Sequence, residues 1–163
     1  CVLLIDEVDR ADDEFEAFLL ELLSDFQISI PEVGTIVADS RPIVILTSNR
    51  TRELHDALKR RCLYNWIGFP SVEREVDIVR ARIPGVSEKL ATSVVQAVNK
   101  LREMELEKAP GVAETLDWVE SLQTIGATDL TEDALRDTIG SVLKDRDDFE
   151  TALNNVKELV DSD

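Results

Sequence analysis

Val2-Leu3-Leu4-Ile5-Asp6-Glu7, reading VLLIDE, is an apolar run that ends in two adjacent carboxylates. A short, unbroken aliphatic run fits a strand buried on both faces of a parallel sheet, and such sheets bind ligands outside the carboxyl ends of their strands. Asp6 and Glu7 stand at that edge. There, one carboxylate can hold a magnesium ion, while its neighbour polarises a water for attack on a phosphoryl group. The pattern implies a nucleotide site in an α/β core. Yet no glycine-rich GxxxxGK[ST] loop occurs anywhere in the chain.

Working outward, Asp12 and Asp13 offer helix caps, and Phe15, Phe18, Leu19, Leu22 and Leu23 recur at helical spacing. Gln27 to Ile30 and Thr35 to Ala38, separated by the turn chemistry of Pro31-Glu32-Val33-Gly34, predict a short hairpin. Ile43 to Thr47 predicts a second buried, parallel strand ending at Ser48-Asn49. A basic, polar stretch from Arg50 to Arg61 holds one or two helical turns around Leu54, Ala57 and Leu58. Leu63 to Phe69, closed by Pro70, predicts a third strand and a domain boundary. Beyond Pro70 the period changes to that of helices. Five are predicted, on Val72 to Ile83, Leu90 to Leu101, Val112 to Leu122 with Gly126 as its stop, Leu135 to Leu143, and Phe149 to Val160, together a helical bundle.

The 163 residues suffice for one domain or a domain with an appendage. Acidic residues outnumber basic ones, 34 against 18, for a net charge of -16. A nucleic-acid backbone calls for a basic footprint, so nucleic acid is not an expected partner. No aliphatic run approaches the roughly 20 residues a membrane span requires, and no signal peptide opens the chain. Cys1 and Cys62, with a single His55, supply neither a disulfide framework nor a zinc-ligand set, which points to a reducing, cytoplasmic setting. Cys62 reads as a buried structural thiol, and His55 as a surface residue near a short helix.

Chemistry concentrates at the two strand tips. If those strands are parallel neighbours, Asn49 lies beside Asp6 and Glu7, where its amide can donate to a γ-phosphate oxygen and accept from an attacking water. Read blandly, Asn49 is a turn former and the acidic run Asp6, Glu7, Asp9, Asp12, Asp13, Glu14 a solvated helix start; it lacks the turn glycine of a calcium loop. Arg60 and Arg61 precede the third predicted strand. On the rim of an oligomer, one of them can reach a neighbouring subunit's γ-phosphate.

The order of these features resembles an AAA+ ATPase of the MoxR family. Within it, LIDEVDRADDEFEAFLLELL, LTSNRTRELHDALKRRCLYNWIGFP and PGVAETLDWVESL resemble the CoxD-like branch. The resemblance covers nearly the whole chain. It implies residues 1–70 as the carboxyl-terminal part of the α/β core and residues 71–163 as the helical lid. It further implies Asp6 and Glu7 as the Walker B pair, Asn49 as sensor 1, Arg61 as the trans-acting finger with Arg60 as second choice, and Gln27 to Ala38 as the hairpin before sensor 1. ATP and Mg2+, a homo-oligomeric ring such as a hexamer, a client protein, and a partner with a von Willebrand factor A domain follow from the same likeness.

Two departures stand out. The stretch Gly111-Val112-Ala113-Glu114-Thr115 carries no arginine where a sensor 2 residue often lies, and the Walker A region is missing, so the chain reads as a carboxyl-terminal fragment that by itself should not bind ATP appreciably. In the family's sheet order, the absent first strand lies between the strands of Ile43 to Ser48 and Leu63 to Phe69. Buried backbone groups left unpaired there would cost on the order of 1 to 3 kcal/mol each. Another chain or an upstream segment is therefore expected in the slot, or else a displaced third strand. The alternative function is a non-enzymatic acidic helical module that recruits a basic partner.

Overall fold

The computed structural model of the chain describes residues 1–49 and 51–161. It is a mixed α/β protein that divides into two compact units, Cys1–Trp66 and Ile67–Asp163. The division falls close to the expected boundary at Pro70.

In the first unit, β1 (Val2–Ile5) pairs in parallel with β4 (Ile43–Leu46), with Val2 opposite Ile43 and Ile5 opposite Leu46. Between them in sequence come a 3-10 turn (Val8–Arg10), α1 (Asp13–Asp25) and the antiparallel hairpin of β2 (Gln27–Ile30) and β3 (Gly34–Val37). Asp12 caps α1 by accepting from Phe15 N at 2.8 Å. The helix ends where Phe26 turns into the left-handed region, φ 52°, and donates its N–H to Leu22 O. After β4, the short α2 (Asp56–Lys59) completes the unit.

Alternate residues along the two strands face opposite sides. Leu3, Ile5 and Leu46 pack with Val8, Leu19, Leu22 and Leu58 into one buried cluster. The other face, made of Val2, Leu4, Ile43 and Ile45, is between 48% and 66% exposed. This corrects the expectation of strands buried on both faces: no described residue covers that side. Leu63 to Phe69 is a second correction, because it forms no strand. Leu63 and Ile67 are almost fully exposed. A strand is completed only by a neighbouring strand's ladder of N–H and C=O groups, and neither two-stranded sheet extends to this stretch.

In the second unit, α3 (Val72–Arg82), α4 (Glu88–Glu103), α5 (Val112–Thr124), α6 (Glu132–Thr138), a 3-10 turn (Ile139–Ser141), α7 (Arg146–Asn154) and α8 (Val156–Val160) surround one apolar core. The central helix, α4, buries Leu90, Val94, Val98 and Leu101 and packs against α3, α5 and α8. Trp118 is fully buried and donates its indole N–H to Thr138 Oγ1 at 2.7 Å, so the largest core side chain leaves no orphan donor. Glycine is required at the end of α5: Gly126 has φ 76°, Ala127 N donates to Leu122 O and Gly126 N to Gln123 O, a Schellman closure. The fifth predicted helix is in fact two. The run breaks at Asn155, with φ -114° and ψ 20°, whose amide donates back to Thr151 O at 2.8 Å. The apolar period alone does not register this change of backbone conformation.

Glu75 and Arg102, both nearly inaccessible to solvent, bind each other in fork-to-fork fashion at 2.6 and 2.9 Å. Thr115 Oγ1 donates to Glu75 Oε1 at 2.7 Å, and Arg102 Nε to Pro110 O at 2.8 Å. Phe69 lies with its ring 4.1 Å from the guanidinium carbon. Each charge is paired, and Thr115 and Pro110 add a hydrogen bond to each partner, which favours keeping such a pair inside a core.

Candidate functional site

Parallel pairing of β1 and β4 puts their carboxyl ends at one rim. Ile5 O accepts from Thr47 N at 3.0 Å, Thr47 O accepts from Val8 N at 2.9 Å, and the polar residues that follow each strand are thereby held side by side. Thr47 is the hinge of the site. Its hydroxyl accepts from Glu7 N at 3.1 Å and donates to Asp6 Oδ1. That contact fixes the Asp6 carboxylate at the strand tip while leaving Asp6 exposed.

Glu7 takes the left-handed conformation, φ 53° and ψ 46°, uncommon for a residue with a side chain. The turn points consecutive carboxylates in different directions. Asn49 Nδ2 donates to Glu7 Oε1 at 3.0 Å, and Arg10 Nη1 lies 3.1 Å from Glu7 Oε2. Of the three residues expected together, Asn49 bonds Glu7 directly, and Asp6 is held at the same strand rim by Thr47.

Beneath them lies a residue that sequence reading had counted only as part of an acidic run. Asp9 is 2% exposed. Its Oδ1 accepts from Asn49 N at 3.1 Å, and its Oδ2 from Thr51 N at 2.8 Å and Thr51 Oγ1 at 2.6 Å. The Thr51 hydroxyl contributes most, with the two backbone N–H groups, to holding the Asp9 carboxyl well below the usual carboxylate range, against the opposing effect of burial. A second buried carboxylate, Glu16, accepts from His55 N at 2.9 Å. Arg52 Nη2 sits 2.5 Å from Glu16 Oε1, near enough for an ion pair though not aligned for a hydrogen bond, and also donates to Ala11 O. Glu16 was detectable: it stands three residues before Leu19, on the buried face of α1. Asp9 carried no such signal.

Arg60 and Arg61 are both exposed at the end of α2. Arg61 Nε donates to Ser24 Oγ at 2.7 Å and its Nη1 to Ala57 O at 2.9 Å, which ties the side chain to α1 and α2. Arg60 caps α2 through its backbone, and among the described residues its guanidinium has no hydrogen-bond or ion-pair partner. Neither arginine contacts Asp6, Glu7 or Asn49. Arg50, the start of the basic stretch, lies outside the described residues.

His55 accepts from Ala57 N through Nδ1 at 3.3 Å as the N-cap of α2, a structural role beyond the surface position expected for it. Cys62 is partly rather than fully buried, and that burial pushes its thiol up, away from the thiolate a nucleophile needs. Among the described residues no three His, Cys, Asp or Glu side chains gather as a metal cluster, and no helix is long and apolar enough to cross a membrane. A magnesium ion that arrives with a nucleotide takes one or two carboxylates plus phosphates and waters, and the exposed, Thr47-oriented Asp6 fits that demand. No family model matches the chain, and no curated protein matches it.

Proposed function

We propose that this chain is the Walker B to lid portion of a MoxR-type AAA+ ATPase that hydrolyses ATP to remodel or mature a partner protein. One observation carries the reading: an acidic doublet and an asparagine meet at the carboxyl edge of two parallel strands, the Asn49 amide 3.0 Å from Glu7 and the Thr47 hydroxyl on Asp6. That is the arrangement required to position a metal and a water against a terminal phosphate.

Asp6 would hold magnesium, which would neutralise phosphate charge when bound. Glu7 polarises the attacking water. Asn49, now donating to Glu7, orients that water and the terminal phosphate. An arginine of the adjacent subunit supports the charge of the leaving group. Arg60 is the better finger, because Arg61 is engaged by Ser24 and Ala57 and would have to leave both to reach another subunit. The reading requires a phosphate cradle, a GxxxxGK[ST] segment, which residues 1–163 do not contain. The working assembly is a cytoplasmic homo-oligomeric ring, as in the family the sequence resembles, acting on a client alongside a von Willebrand factor A domain protein.

The test is Glu7→Gln in the full-length protein. Magnesium-ATP binding should stay within a few-fold of wild type while turnover falls about 10²-fold or more. Wild-type turnover in that variant removes Glu7 from its role, and an upstream coding sequence without the phosphate loop removes the ATPase.

A further inference from the structure

We propose that Asp9 is a positioning residue for hydrolysis: through the backbone of the Asn49 turn it holds the Asn49 amide on Glu7. The proposal rests on the ATPase reading above and adds to it a residue that touches neither nucleotide nor water. The Asn49 amide reaches Glu7 from the loop that leaves β4, two residues beyond the last ladder bonds, which are made by Thr47. Asp9 restrains that loop. Two carboxylate oxygens receive three donors, Asn49 N–H, Thr51 N–H and Thr51 O–H, at 2.6 to 3.1 Å. All three converge on a residue that is 2% exposed.

The geometry connects both ends of the catalytic pair. Asp9 follows Glu7 by two residues, within the 3-10 turn of Val8–Arg10 that Glu7 initiates. The same short segment therefore carries Glu7 and grips the loop that carries Asn49. Only an acceptor with two free oxygens can serve. Asparagine, the same size, turns one of them into an N–H2 facing another donor.

The experiment uses the full-length protein with Asp9→Asn, Thr51→Val and Thr51→Ser, with ATP-binding stoichiometry counting competent sites. Asp9→Asn and Thr51→Val should lower kcat per competent site about 10-fold or more with KM for ATP within about 3-fold, while Thr51→Ser, which keeps the hydroxyl, stays within about 2-fold of wild type. Amide exchange of Asn49 and Thr51 should quicken in the first two variants and not in the third. A merely structural role would reduce the number of competent sites and leave kcat per site unchanged, which overturns the proposal. So does unchanged exchange at Asn49. If Glu7→Gln turns over like wild type, the hydrolysis reading falls and takes the catalytic half of this proposal with it, while the exchange rates still decide whether Asp9 holds the turn.

Discussion

A carboxylate receiving three donors in a buried site is a charge the fold needs, and that need sets a pH dependence. The folded Asp9 carboxyl lies below its ordinary value of 3.8. A depressed folded pKa means that the unfolded chain binds the proton more readily, so acid favours unfolding. The contribution is complete above about pH 5, erodes as the pH falls below the ordinary carboxylate value, and is gone once the pH has passed through the lowered one. Asp129, lowered chiefly by Lys89 and also by Ser93, and Glu21, lowered chiefly by the Ser29 hydroxyl, act with the same sign. Urea titrations from pH 6 to pH 3 should show the first unit of the wild type losing stability, with a shallower loss in Asp9→Asn. At this scale the sequence was half legible. Asp6, Glu7 and Asn49 were readable because they end apolar runs. Asp9 and Thr51 were not, since their bond joins residues 42 apart in the chain.

Helix ends were written locally and could be read. Asp12, Ser71, Ser87, Thr131 and Asp145 each accept from a backbone N–H of the helix they open. Ser87 opens the central α4, accepting from Leu90 N at 3.1 Å. Ser87→Ala should therefore cost about 0.5 to 2 kcal/mol of the second unit's stability by denaturant titration, and Ser87→Asp should restore most of it. The misread elements share another cause. Leu63 to Phe69 has the composition of a strand, but composition specifies only willingness to pair. The break between α7 and α8 at Asn155 is the converse case, an apolar period that runs on across a residue whose backbone leaves the helix at φ -114° and ψ 20°.

Across the whole molecule, each unit has its own buried cluster, Val8, Leu19, Leu22 and Leu58 in the first and a far larger set around Trp118 in the second. Trp118→Ala removes the largest fully buried side chain and takes away the donor to Thr138 Oγ1, and should destabilise the second unit by about 3 to 5 kcal/mol in chemical denaturation. The first unit is built on a two-stranded parallel sheet with one apolar face open, an arrangement that is marginal without further cover. By itself the sequence determined the strands of Val2–Ile5 and Ile43–Leu46, the hairpin, most of the helices, the Asp12 cap and the acidic doublet at a strand tip, because propensity, periodicity and capping act over a few residues of chain. Only the tertiary structure decided that Leu63 to Phe69 would form no strand, that one sheet face would stay open, that Arg61 would be tied to Ser24 and Ala57, and that Asp9 and Glu16 would be buried. Each of those depends on which distant group arrives to complete a hydrogen bond or exclude water, and that is fixed by the pairing of segments some forty residues apart.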